Sequence, residues 1–207
     1  EGSGARRRAR SCAVLGKRQG DIDAQTMMAL LSDHAATPDG PLATDPGSGS
    51  GICVHCAPDG TGGNTAASLV AELCADQSRL PIYWCSFYSP CLAVFLPFFS
   101  EGQLPTILSR GDAEPSADSP WWRFHRLAHL ARVQPQLVPT ICERWTAWQE
   151  QLCVSASQLA IEGRQLLDAG QTTDAERILT DYMANSTATM LEIADGLLCS
   201  AAEPLTA

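Results

Sequence analysis

Hydrophobic spacing changes character twice along the chain. Near the start, Met27, Leu30, Leu31 and His34 recur on one helical face, and Asp23 stands where an N-cap would accept the first-turn amides. From Ala35 to Gly51 the residues are mostly Pro, Gly, Asp and Ser, which predicts a surface connection. Residues 51–100 then read as sheet. Gly51-Ile52-Cys53-Val54-His55 is a strand candidate ended by the turn residues Pro58 to Gly63. Between Thr65 and Cys74, Leu69, Ala71 and Leu73 alternate with Ser68, Val70 and Glu72, the period of a second strand. The aromatic run Ile82 to Tyr88 is the third, expected to pair with the second as a hairpin through Asp76–Arg79.

Beyond Ser119 the period becomes helical. Trp121, Phe124, Leu127 and Leu130 form one stripe, which Pro135 and Pro139 interrupt. Ile141, Trp145, Trp148 and Leu152 form the next. Thr173-x-x-Glu176 reads as a capping box opening a last helix with Leu179, Tyr182, Ser186, Met190, Ile193 and Leu197 on related faces. The pattern divides the chain into a basic segment 1–20, a helix plus β-sheet part 21–118, and a helical layer 119–207 of the same domain. The expected class is α+β, with few antiparallel strands covered by C-terminal helices.

Composition removes several classes. Hydrophobic residues make up 45% and charged residues 18% of the 207, values of a globular chain. The longest apolar run, Cys91 to Phe99, is broken by Pro97 and is too short to span a bilayer, so no membrane insertion is expected. The net charge of −9 is uneven: residues 1–20 carry six basic residues against Glu1, which leaves about −14 on the remainder. An acidic body lacks the basic groove that phosphates require, so no nucleic-acid partner is expected. The Arg6–Arg10 cluster reads as a solvated helix start or linker. Several of the nine cysteines sit in apolar runs, where a reduced thiol behaves as a small hydrophobe, and this favours a reducing, cytoplasmic location. Three strand candidates cannot build two stacked sheets. Together with a first residue that is Glu, this leads us to expect a portion of a longer protein.

Candidate chemistry is sparse. Cys53 and Cys56 have a C-x2-C spacing, but a structural zinc site needs four ligands and no second pair repeats it. Cys74, Cys85, Cys91 or His34 would have to complete the set. Cysteines packed in a core are the expectation, and neither a metal nor a cofactor is assigned. His125 and His129 share a helix face, but Arg126 stands where a metalloprotease needs Glu, so a surface histidine pair is expected. Gly60-Thr61-Gly62-Gly63-Asn64 precedes a strand, whereas a phosphate loop follows one, so it reads as a flexible turn. The chain contains no nucleophile elbow, P-loop or dinucleotide fingerprint.

Five segments, in order, resemble the C-terminal half of the secernin family, relatives of bacterial dipeptidases among the N-terminal-nucleophile hydrolases. They are Met27 to His34, similar to a helix ending in Arg-Asp-His; Ile52-Cys53-Val54-His55-Cys56, similar to a Cys-Met-His-Ala strand; and Asn64 to Leu73, similar to Thr-Thr-Gly-Ser-Met-Val-Ser-x-Leu. Ile82-Tyr83-Trp84, Ser89-Pro90-Cys91 and Phe95-Leu96-Pro97 follow a Trp…Ala-Pro-Cys…Phe-Lys-Pro pattern, and Trp121-Trp122-Arg123 with Leu127 matches a Trp-Trp-Arg-His-Glu-x-Leu helix. Ser32 replaces the usual Arg, Leu96 the usual Lys and Phe124-His125 the usual His-Glu, while Phe87 and Tyr88 occupy a stretch that is normally Gly and Thr.

The resemblance implies part of a four-layer αββα sandwich and cysteine-type hydrolysis of dipeptides or other small amides. The nucleophile would be a cysteine at a processed N-terminus, using its own α-amine as base. That residue has no counterpart here. No catalytic residue is therefore assigned, and the N-terminal half of the same protein is the expected partner. His55, Asp33 and His34 are the substrate-pocket candidates. The same resemblance admits a non-catalytic regulatory or interaction protein related to exocytosis.

Overall fold

The computed structural model describes residues 3–35, 42, 51–56 and 62–200. They form an α+β arrangement of five α-helices and one three-stranded antiparallel sheet. Most of the connection expected over 35–51, and residues 57–61 of the glycine-rich turn, lie outside the described residues.

Helix α1 (Ser3–Lys17) carries the basic cluster, and α2 (Ala24–Leu31) follows. Asp23 caps α2 as its sequence position predicts, accepting from Thr26 N at 2.7 Å. The expected apolar face is shifted: Thr26, Met28 and Leu30 are the buried positions, and His34 lies beyond the helix end. Arg10 corrects the reading of a solvated basic cluster. It is 4% exposed and paired with Asp33, whereas its neighbours from Arg6 to Ala9 lie in solvent.

The hairpin forms as expected. Strand β1 (Ala67–Glu72) pairs with β2 (Ile82–Phe87) in a register that sets Val70 opposite Trp84 and Leu69 opposite Cys85. β3 (Leu96–Phe98) adds to the other side of β2. Residues 51–56 are irregular and not the expected strand; their backbone is held by two side chains, Thr65 and Asn64, and by two isolated backbone bonds. The third strand comes instead from the apolar run, where Pro97 sits in an edge strand, the location a sheet allows it. The alternation in β1 is also inverted relative to hydrophobicity. Val70 is buried, while Leu69 is 59% and Leu73 69% exposed.

Three long helices follow. α3 (Pro120–Val133) is capped by Ser119, whose hydroxyl accepts from Trp122 N, and buries Phe124, Leu127 and Ala131. Pro135 opens a 3-10 turn, but Pro139 does not interrupt a helix. It lies in the first turn of α4 (Val138–Asp168), where a missing N–H costs nothing. α5 (Thr172–Ser200) begins before Thr173, so the Thr173–Glu176 pair lies inside its first turns; Glu176 accepts instead from Gln103 Nε2. A short connection folds α5 back on α4. Their contact is lined by small residues, Ala156, Ala160 and Gly163 on one helix and Ala175 on the other, interleaved with Leu179 and Met183. A Cβ on Gly163 would come 2.7 Å from the Leu80 side chain, and this close approach lets Leu80 N reach Ala160 O at 3.0 Å.

Polar side chains lock the sheet end to these helices. Gln149 of α4 bonds both Phe95 N and Phe95 O, and Thr180 of α5 accepts from Gln103 N. No helix among the described residues is long and apolar enough to cross a membrane.

Candidate functional site: a buried His–Cys cluster

Three chain segments meet beside the end of α2. The Ser32 amide bonds back to Met28 O and Leu30 O, closing the helix and releasing Asp33 and His34 into extended chain. Cys53 N then bonds Asp33 O at 3.0 Å. Gly51 makes this approach possible, because a Cβ there would overlap the Asp33 carbonyl and the His34 Cα. Thr65 grips Val54 from both sides, donating its amide to Val54 O and accepting Val54 N on its hydroxyl. Cys53 and His55 project to the same side, the Cys53 sulfur 3.6 Å from His55 Nε2. The third segment is the 3-10 turn Pro90–Leu92, which brings Cys91 against them.

Four polar groups converge there. His34 Nε2 lies 3.0 Å from His55 Nε2, Cys91 Sγ 3.2 Å and Cys53 Sγ 3.6 Å from the same His55 nitrogen, and the two sulfurs are 3.8 Å apart. Cys53 is fully buried and His34 1% exposed. The two thiols are shifted in opposite directions. The hydrogen bond from Cys91 holds the Cys53 thiol pKa well below the ordinary thiol range against the penalty of burial, aided by His34 and His55. The same hydrogen bond and burial push Cys91 well above it.

Asp33 turns away from this cluster. Its two carboxylate oxygens accept from Arg10 Nε at 2.7 Å and Arg10 Nη2 at 3.1 Å, a bidentate pair with neither side chain exposed. The three pocket candidates are thus neighbours, with different tasks: Asp33 ties α1 to the end of α2, while His34 and His55 face each other. Cys91 also borders a cleft of about 300 Å³ between α2 and α4, whose walls include Met28, Ser32, Trp145 and Gln149.

The C-x2-C pair does not act as a pair. Cys56 is outside the cluster, and its sulfur accepts from Arg132 Nη1 at 2.8 Å. Cys74 bonds Asp76 and Cys85 points to Tyr83 O, whereas Cys91 and His34 do join Cys53. His55 was missed as a possible ligand. The signal for it was its two-residue spacing from Cys53 rather than the three-residue spacing to Cys56.

His125 is not a plain surface histidine. Its ring packs against Tyr88, Trp121 and Trp122, with centroids 5.0, 5.7 and 5.0 Å away. Burial, with the nearby charges of His129 and Arg132, lowers its pKa. Because the folded pKa lies below the unfolded value of about 6.5, the unfolded chain binds the proton first. The contribution to stability is therefore complete above that value and is lost as pH falls through the window beneath it. We expect the His125 ring resonances to titrate below those of a reference peptide in an NMR pH series. His125→Phe should flatten the pH dependence of urea stability in that window.

Comparison with protein-family profiles, curated proteins and solved structures finds no match.

Proposed function

We propose that the chain is the C-terminal portion of a secernin-like cysteine-type dipeptidase that hydrolyses dipeptides or related small amides, with its nucleophile on the upstream half of the protein. The observation that carries this reading is convergence. Asp33-His34, Cys53-Val54-His55 and Ser89-Pro90-Cys91 belong to three of the resembling segments, lie far apart in sequence, and meet within hydrogen-bonding distance. Their meeting at one point is what supports reading them as parts of a single family pattern.

Two further features fit. Tyr88 stands in the stretch where the family has Gly and Thr, and its φ of 58° is the left-handed backbone that favours glycine. On the sheet, exposed Leu69 shares a face with half-buried Tyr83, Cys85 and Phe87, an apolar surface of the kind a second sheet covers in an αββα sandwich. The cluster itself does not supply the nucleophile. Cys53, the thiol whose pKa is lowered, is fully buried, so no substrate carbonyl reaches it.

The test is dipeptide hydrolysis by the whole encoded protein, beside a variant in which the cysteine expected at its processed N-terminus is replaced by alanine. Turnover by the parent that falls at least about a thousandfold in the variant is expected for loss of a covalent nucleophile. No turnover, or turnover that survives the substitution, overturns the proposal; the first of these outcomes is what a regulatory, exocytosis-related protein would give.

A further inference from the structure

We propose that His34 Nε2, His55 Nε2, Cys53 Sγ and Cys91 Sγ are the four ligands of a single structural zinc ion. All four atoms lie within 4.8 Å of one another. Zinc bonds of about 2.3 Å to sulfur and about 2.0–2.1 Å to nitrogen, set tetrahedrally, fix the distances between ligands. Those edges are about 3.8 Å for two sulfurs, about 3.3 Å for two nitrogens and about 3.6 Å for a mixed pair. The corresponding separations here are 3.8 Å for the sulfurs, 3.0 Å for the nitrogens, and 3.6 and 3.2 Å for the two mixed pairs that His55 makes; the pairs of His34 with the sulfurs lie within 4.8 Å.

Hydrogen bonding does not account for the arrangement. His55 Nε2 faces three groups at once, yet a ring nitrogen offers one in-plane lone pair or one proton. No more than one of these three contacts can be a well-directed hydrogen bond at that nitrogen. A cation between the four groups satisfies every one of them. The remaining nitrogen of His55, Nδ1, faces the buried Ser89 hydroxyl at 3.5 Å, the outer contact that orients a ligating imidazole. Zinc takes cysteine as thiolate, so binding releases whatever protons the two sulfurs carry to solvent. Two thiolates and two neutral imidazoles then balance the dication, so the buried centre carries no net charge.

Four protein ligands leave no open position for substrate, which assigns the ion a structural role. The need for it is local. Residues 51–56 belong to no strand and are held to the body by a few isolated hydrogen bonds. The ion would clamp them to the end of α2 and to the Pro90–Leu92 turn. This role does not depend on where the nucleophile lies.

The experiment is metal analysis of the chain produced in zinc-supplemented medium and purified under reducing conditions without chelator. X-ray absorption at the zinc edge accompanies it. One zinc per chain with two sulfur and two nitrogen neighbours is expected. Cys91→Ser and His55→Ala should each lose at least about nine-tenths of the metal, and Cys56→Ser and Cys74→Ser should keep it. Should the ligand variants fail to fold, the absorption spectrum of the unaltered chain still decides. Absence of zinc, a shell without two sulfurs, equal retention in all variants, or a Cys53–Cys91 disulfide in the reduced preparation would each overturn the assignment.

Discussion

Asp33→Ala is expected to destabilise the protein by about 3–5 kcal/mol, the range for removing one member of a buried ion pair. The reason lies in the geometry of the pair. Arg10 is 4% exposed and Asp33 fully buried, so the guanidinium left behind cannot turn to water without dragging α1 off the body of the fold. Both Asp33 oxygens are engaged by Arg10, and the Asp33 carbonyl carries the Cys53 amide. Loss of the carboxylate therefore loosens the segment that presents His34 as well as the helix that brings Arg10. Equilibrium urea unfolding measures the effect. The double variant Arg10→Met/Asp33→Leu should recover most of the loss, because removing both charges leaves neither unpaired. A double variant no more stable than Asp33→Ala would show that the carboxylate acts through some other contact.

That ion pair marks a boundary of what the sequence makes legible. The hairpin, the stripes of α3 to α5 and the Asp23 cap follow from local periodicity and side-chain chemistry, and each is present. What pattern does not reveal is which partner a segment meets. Arg10 reads as one more charge in a solvated run because nothing within twenty residues can bury it. Asp33 does so from the far side of α2. Val70 and Leu69 illustrate the same limit on one strand. Alternation identifies a strand with two faces, but β1 is an edge strand whose inward side carries Ser68, Val70 and Glu72, so the less hydrophobic set is the buried one.

The cluster was half legible. His34, Asp33 and His55 stand out as residues, but the cluster is assembled from three segments, and the C-x2-C spacing points to Cys56, which lies outside it. Cys91, in a turn 38 residues beyond Cys53, is one of several cysteines the sequence offers, and no spacing singles it out. The irregular chain at 51–56 defeats a strand reading for a related reason. Its apolar Ile52 and Val54 have the right period, but Gly51 and Thr65 pin it to α2 and to the start of β1 instead of to a neighbouring strand.

Trp84→Ala is expected to cost about 3–5 kcal/mol, as large aromatic truncations in packed cores do. Trp84 is 1% exposed at the centre of β2, opposite Val70 on β1 and Pro97 on β3, so its removal opens a void under all three strands. Its indole N–H donates to Glu72 Oε2 at 2.8 Å, while Arg79 holds Glu72 Oε1 at the same distance. The indole thereby bridges the inward face of the hairpin and satisfies one oxygen of the Glu72 carboxylate, whose charge Arg79 balances. Trp84→Phe separates the two contributions. It retains most of the packing and removes only the donor, and Glu72 is 22% exposed, so water can replace the lost bond at a cost of about 1 kcal/mol. Urea midpoints of the two variants should differ accordingly. The slope of the transition should stay that of the parent, because the surface exposed on unfolding hardly changes. A Trp84→Phe loss as large as that of Trp84→Ala would mean that the Glu72 bond, and not the buried ring, holds the sheet to its helices.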